Sequence, residues 1–416
     1  MPLEIDADAL DFTGIVRPGD LVVWGQASAE PLVLTRQFMA QRHSIGRFRA
    51  FIGITLSSTA DPEHADCIDF SSFCGTGNNR RLAAAGKLDI LPLHYSRLTQ
   101  TLRREVDILL LQLAEHPDGG RYSLAATCDY VQDLVPAARL VIAEVNRQAP
   151  FTDALIDPAD IDMLVRSDYE PVTMASPVPS PVDRQIATHA AELVADGATV
   201  QFGLGALPEC VAQLLGDRRD LGLHTGVMSD AAMKLMQQGV VNNLRKPHDT
   251  GVSITGGLLG SGALLAFADH NPAISLRPIS FTHDIATIAA LPRFTAVNSA
   301  IEVDLSGQAN TETANGRYLG GIGGAVDFCR AAHASEGGIP IVALPSVATM
   351  KDGTVVSRIV ASLAGPATIG RADIGVVVTE HGIADLRGQS LSQRARLLVA
   401  IADPRFRDEL MSASRM

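Results

Sequence analysis

Short apolar runs that stop at glycine punctuate this chain and constrain its fold more than any other feature. They include "DLVVWG" (20–25), "ATVQFGLG" (198–205), "IPIVALPS" (339–346) and "IGVVVTEHG" (374–382). A strand with one wet face alternates apolar and polar residues, whereas a nearly continuous apolar run needs cover on both faces, as in a parallel sheet flanked by helices. Segments of helical period lie between these runs, so the fold class is α/β.

A chain of 416 residues exceeds what one ordinary core organises, and two lobes are expected. The stretch "ASPVPSPV" (175–182) makes a poor helix and a poor central strand, so it reads as the connection. After it, "DRQIATHAAELVADG" places Ile186, Ala190, Leu193 and Val194 on one face and stops at Gly197, which predicts a helix. The expected domains are therefore 1–178 and 179–416.

The lobes echo each other. Gly19 and Gly197, Val22 and Val200, Trp24 and Phe202, and Gly25 and Gly203 fall at one common offset. A second correspondence is read between "ARLVIAEVN" and "ADIGVVVTEHG", each a buried strand delivering a glutamate, Glu144 and Glu380. The pattern predicts a duplicated α/β unit with the ligand between the lobes.

Composition excludes several function classes. Net charge is −12, with 46% hydrophobic and 19% charged residues, which disfavours a nucleic-acid surface. The acidic start "MPLEIDADALDF" lacks the basic and apolar regions of a secretory signal. No apolar run approaches the roughly 20 residues that span a bilayer, so no membrane association is expected. Five scattered cysteines without a C-x-x-C pair read as reduced thiols of a cytoplasmic protein. The P-loop pattern and the G-x-S-x-G nucleophile elbow are absent. His283, His333 and His381 stand apart with no H-E-x-x-H spacing, so no metal site is expected. "GLGALP" lacks the third glycine of a dinucleotide fingerprint, which argues against a nicotinamide-dependent oxidoreductase.

Two glycine-rich loops remain. "QFGLGALPE" (201–209) leaves a strand and opens a helix, where backbone N–H groups can meet an anionic or carbonyl oxygen. "YLGGIGGAVDF" (318–328) has four glycines in five residues, which reads either as a backbone brought against a ligand or as a tight turn. Nearby, Glu302 and Asp304 share one face of an extended segment, either as acid–base groups or as strand decoration. "LGLHTGVMSD" (221–230) runs a strand into His224, Thr225 and Gly226, then into Ser229 and Asp230, which would cap a following helix.

Taken in order along the chain, "AEP" (29–31), "AEVNRQAP" (143–150), "GLGALPE", "HTGVMSD", "GGIGGAVDF", "IVALPSVA", "DGTVVSRIV" and "VVTEHGIADLRG" resemble the acetyl-CoA hydrolase/transferase family, close to its 4-hydroxybutyrate and butyrate CoA-transferases. The resemblance implies two similar CoA-transferase-type α/β domains. It implies acyl-CoA and small carboxylates as substrates, no tightly bound cofactor, no nucleic-acid partner and a homo-oligomer. In that family a glutamate within a motif like H-T/S-E-M-x-S-D attacks the thioester and carries the group covalently. Here "HTGVMSD" puts Gly226 at that position, and "GGIGGAVDF" has Gly320 and Ala325 where a serine and a glutamine are expected. Positions matching the family's CoA contacts are Gly203, Leu204, Gly205, Ala206 and Leu207 in the first loop and Gly324 in the second, with Gly320 and Gly323 beside it as further candidate contacts.

The implied activity is CoA transfer from an acyl-CoA to a carboxylate, with thioester hydrolysis as the alternative and a non-catalytic CoA-binding protein as the third. Without the glutamate three routes stay open: a substitute carboxylate such as Glu209 or Glu302, direct attack by water or acceptor with His224 as a candidate base, or binding without turnover.

Overall fold

The computed structural model describes residues 2–413. The chain forms two compact units. The first comprises 1–175 with 254–282 and 317–323, and the second comprises 176–253, 283–316 and 324–416.

In the first unit eight parallel strands form the main path of a ten-stranded sheet, which Tyr122–Ser123 and Leu155–Ile156 extend by antiparallel pairing. The eight are β1 (Leu3–Glu4), β2 (Leu21–Trp24), β3 (Phe48–Phe51), β4 (Ile68–Ser72), β5 (Leu88–Ile90), β6 (Val106–Glu115), β7 (Leu140–Asn146) and β8 (Met163–Ser167), in spatial order β1-β8-β7-β6-β2-β3-β4-β5. Every residue of β2 is buried, as the unbroken "LVVW" requires of a strand covered on both faces. The helix α1 (Leu32–Ile45) covers one face, and its Phe38 ring lies 4.7 Å from Phe48, 5.3 Å from Phe12 and 6.4 Å from Trp24.

The second unit carries β9 (Thr199–Phe202), β10 (Gly222–Met228), β11 (Thr295–Ser299), β12 (Ile339–Ala343), β13 (Val376–Thr379) and β14 (Gly382–Asp385), in order β10-β9-β11-β12-β13-β14. All pairs are parallel except the last. The helix expected after the proline-rich connection is α2 (Pro181–Glu192), started by a reciprocal pair in which Ser180 accepts from the Asp183 amide and Asp183 accepts from the Ser180 amide.

The first echo between the lobes holds in space. β2 lies between β3 and β6, and β9 lies between β10 and β11, so the strands bearing Val22 and Val200 occupy the same slot of their sheets. The second is corrected by the sheet order. Counting outward from that slot, β7 corresponds to β12 and β8 to β13, so Glu144 on β7 is not the counterpart of Glu380 beyond β13. Both runs are buried parallel strands with the same apolar vocabulary, and local sequence cannot distinguish adjacent slots.

What those slots do share is a serine–glutamate pair arranged crosswise. Ser167 at the end of β8 donates to Glu144 Oε1 at 2.7 Å. Ser346 beyond β12 donates to Glu380 Oε1 at 2.6 Å, and its amide donates to Oε2 at 2.9 Å. Glu144 Oε2 also accepts the amides of Val33 at 2.9 Å and Leu34 at 3.3 Å. It thus supplies the negative charge at the start of α1 that the Pro31 cap cannot.

Candidate active site

Both sequence motifs of the second unit sit at the carboxyl ends of adjacent parallel strands, the edge where open α/β sheets place ligands. β9 ends at Phe202 and passes into 203–205, and β10 carries His224, Thr225 and Gly226 toward its end at Met228. Ser229 then caps α4 (Asp230–Gln237), as the sequence predicts.

The first glycine loop is held close to β11. The Gly203 amide donates to Val297 O at 2.8 Å, and a Cβ there would stand 2.9 Å from Asn298 Oδ1. Gly205 has φ +120° and caps α3 (Ala206–Gln213), a conformation that only glycine adopts without strain. Leu204 and Gly205 are exposed, Ala206 is half-buried and Leu207 is buried. Gln201 and Asn298 clasp each other beneath the loop, with Asn298 Nδ2 donating to Gln201 Oε1 at 3.1 Å.

The second loop is anchored through its carbonyls: Gly320 O accepts the Gly75 amide at 2.7 Å and Gly323 O accepts the Tyr95 amide at 3.0 Å, all within the first unit. Gly321 pairs with Cys74, and a Cβ on it would meet Phe73 O at 2.7 Å. Gly324 belongs to the second unit and caps α5 (Ala325–Ala334).

The carboxylates weighed from the sequence have structural partners. Glu209 on α3 is buried, and its Oε1 accepts the Ala231 amide at 2.9 Å in the first turn of α4. Glu302 lies in the separate small sheet formed by Glu302–Asp304, Ala309–Asn310 and Ile359–Val360. Its Oε1 accepts from Asn310 Nδ2 at 3.0 Å and from the amides of Ala364 and Gly365, both at 2.9 Å. Asp304 closes its own turn by accepting from Ser306 and Gln308.

Gly226 is half-buried, and what faces it is a histidine that the sequence offers no reason to single out. A Cβ on Gly226 would lie 2.9 Å from Cε1 and 3.0 Å from Nε2 of His283, and one on Gly324 would lie 2.5 Å from the same Nε2 and 2.6 Å from Cδ2. The His283 ring packs on Phe328 of α5, centroids 4.6 Å apart. Behind it the fully buried His224 meets Phe294 edge-on at 6.4 Å. Burial, and secondarily the neighbouring His224, push the His283 pKa down to about 3, so this imidazole stays neutral across the working pH range. Only the two glycines that make room for the ring could have signalled it, and they come from distant parts of the chain.

In the first unit the segment 143–150 borders a cavity of about 500 Å³ whose polar lining includes Arg147, Gln148, Glu170, Thr173 and Asp269. His43, Asp66 and Cys67 bring donor atoms within 4.8 Å of one another. Arg42 already grips the Asp66 carboxylate, and His43 meets Cys67 through Nδ1 and Asp66 through Nε2, so the three groups are engaged with protein partners. The five cysteines are unpaired thiols. Among the described residues, no helix is long and apolar enough to cross a membrane.

Comparison with known proteins extends over nearly the whole chain. Residues 7–179 match the acetyl-CoA hydrolase/transferase N-terminal domain, and 260–414 match the corresponding C-terminal domain. The 4-hydroxybutyrate coenzyme A transferase of Clostridium kluyveri is 34% identical over 81% of this chain and 79% of its own length. The succinyl-CoA:cyclohexane-1-carboxylate CoA transferase of Geobacter metallireducens is 30% identical over 98% and 94%. Among solved structures, RipA from Yersinia pestis superposes with a TM-score of 0.92 at 30% identity, covering 99% of this chain and 97% of its own.

Proposed function

Because the chain belongs to the acetyl-CoA hydrolase/transferase family, we propose that it acts on short-chain acyl-CoA thioesters and transfers CoA to a small carboxylate. The observation that carries this reading is the match to both family domains in order, with "GLGALPE" and "HTGVMSD" ending adjacent parallel strands. Gly203–Leu207 and the backbone at Gly320, Gly323 and Gly324 are the proposed CoA contacts, and no tightly bound cofactor is invoked.

The covalent route through a glutamate at 226 has no carboxylate to use. Glu209 and Glu302 are engaged in holding backbone amides, which favours direct attack. In transfer, an acceptor carboxylate oxygen bonds to the thioester carbonyl carbon as the C–S bond breaks, giving a mixed anhydride and CoA thiolate. The thiolate then attacks the acceptor's carbonyl carbon and releases the donor carboxylate. Proximity supplies most of the acceleration for such a step.

Hydrolysis is the second reading, favoured by the absence of any side chain at Gly226. Water replaces the acceptor, its oxygen bonds to the carbonyl carbon, and CoA leaves with the proton that water gives up. We further place the protein in the cytoplasm, consistent with its unpaired thiols, as a homo-oligomer.

Mass-spectrometric product analysis with a panel of short acyl-CoAs, each with and without acetate or butyrate, tests this. New acyl-CoA species that need the acceptor establish transfer, and free CoA without acceptor establishes hydrolysis. Unchanged substrate throughout the panel overturns both and leaves CoA binding alone.

A further inference from the structure

We propose that Glu30 is the anionic ligand of a sodium or potassium ion, held by side-chain oxygens near the carboxyl ends of β2, β3 and β6 in the first unit. The inference is independent of the acyl-CoA reading above, and its test does not use turnover.

Glu30 closes the turn Ala27–Ala29 that follows β2, and only 2% of it is exposed. Its Oε1 accepts from Thr35 Oγ1 at 3.1 Å. Its Oε2 has no hydrogen-bond partner, and among the described residues no cationic side chain forms an ion pair with the carboxylate. An ionised carboxylate taken out of water without a counter-charge is strongly unfavourable, so such a group either takes up a proton or acquires a cation.

The surroundings favour the cation. Burial pushes the Glu30 pKa up, but the hydroxyls of Ser57, Thr59 and Thr35 act against it by favouring the charged form, each more than the Arg36 charge does. Ser57 and Thr59, on the loop after β3, hold their hydroxyl oxygens 3.0 Å apart. Two more buried side chains of the same neighbourhood have an oxygen without a hydrogen-bond partner: Ser28 Oγ, in the turn that Glu30 closes, and Gln112 Oε1 on β6. Gln112 is fixed beside Glu30 by its own Nε2, which donates to Glu30 O at 2.9 Å. A proton on Glu30 serves one acceptor, whereas a cation takes lone pairs from several oxygens at once.

Oxygen is the only donor element in this group, which selects a hard ion. One negative charge stands among neutral oxygens, so a monovalent ion balances it, and calcium or magnesium would leave net positive charge buried. The turn is tied to the loop after β3 by the Ala27 amide, which donates to Ile54 O at 2.8 Å. That loop is half-buried at Ser57 and exposed at Ser58, so ions reach the hydroxyls from its outer side.

The test uses the full chain exchanged into choline chloride and titrated with sodium or potassium chloride at constant ionic strength, with the melting temperature as readout. One of the two ions should raise it saturably, by roughly 2 °C or more, and the ion with the lower midpoint is the ligand. Glu30→Gln, which keeps the shape and removes the charge, should melt in choline no lower than wild type and lose the response. Thr59→Val, which removes one neutral oxygen, should move the titration midpoint upward several-fold.

A melting temperature that is the same in choline and in both alkali chlorides overturns the proposal, as does a response that Glu30→Gln retains in full. An infrared band of a protonated buried carboxyl, present in wild type under saturating salt and absent from Glu30→Gln, also overturns it, because the proton then fills the role assigned to the ion. If Glu30→Gln does not fold, the Thr59→Val midpoint decides, and an unchanged midpoint counts against the site.

Discussion

Nε2 of His283 lies 3.0 Å from the point where a side chain on Gly226 would begin. With Cε1 closer still at 2.9 Å, a Cβ at 226 requires the ring to shift, so residue 226 and the ring compete for one volume.

Reintroducing a carboxylate by Gly226→Glu alone should therefore fail to create a covalent enzyme–CoA species and should lower the melting temperature. The pair Gly226→Glu with His283→Gly vacates the space, and intact-protein mass spectrometry after acyl-CoA addition should then detect the adduct. An adduct in the single variant would contradict the competition.

Glu209 offers a separate decision. Its Oε1 anchors the first turn of α4 through the Ala231 amide. Glu209→Gln keeps an oxygen for that bond and should retain the wild-type rate of thioester consumption, whereas Glu209→Ala should lose stability, on the order of 1–3 kcal/mol for a buried donor left unmet. Abolished activity in the glutamine variant, with the fold intact, would make Glu209 the substitute carboxylate.

Stability should depend on pH through two buried groups of opposite sign. The His283 pKa is lowered from 6.5 to about 3, so between those values the unfolded chain binds the proton and the folded one does not. Stability falls as pH drops through that window, by at most about 1.4 kcal/mol per pH unit. Chemical denaturation of His283→Leu from pH 7 to 4 should show a flatter profile than wild type.

Asp129 acts the other way. Burial raises its pKa from 3.8 to about 7 despite bonds from Gln26, Tyr95 and the Tyr130 amide. Its contribution is full below pH 3.8 and is lost as pH rises through 7. Asp129→Asn should remove that loss, so its midpoint relative to wild type should improve between pH 5 and 8.

The α/β class, the strand slots of Val22 and Val200, the capped start of α2 and the Ser229 cap were legible because each depends on a few neighbouring residues. Strand burial leaves an unbroken apolar run, and a cap leaves a serine before a helical period. The Glu144–Glu380 correspondence failed because register along a sheet is a tertiary property that two similar strands do not encode locally. His283 was illegible for the same reason in sharper form. An isolated histidine acquires meaning only when Gly226 and Gly324, each an ordinary glycine in its own segment, close around it.

The crosswise serine–glutamate pairs carry a consequence for protein engineering. Although β7 and β12 fill like slots, as do β8 and β13, grafting β7 with Glu144 in place of β12 would set two carboxylates side by side next to Glu380. Grafting β8 with Ser167 in place of β13 would leave two hydroxyls and no anion for the Ser346 amide to meet. The halves share a blueprint yet have diverged into non-interchangeable parts, and a chimera must exchange both strands of a pair together.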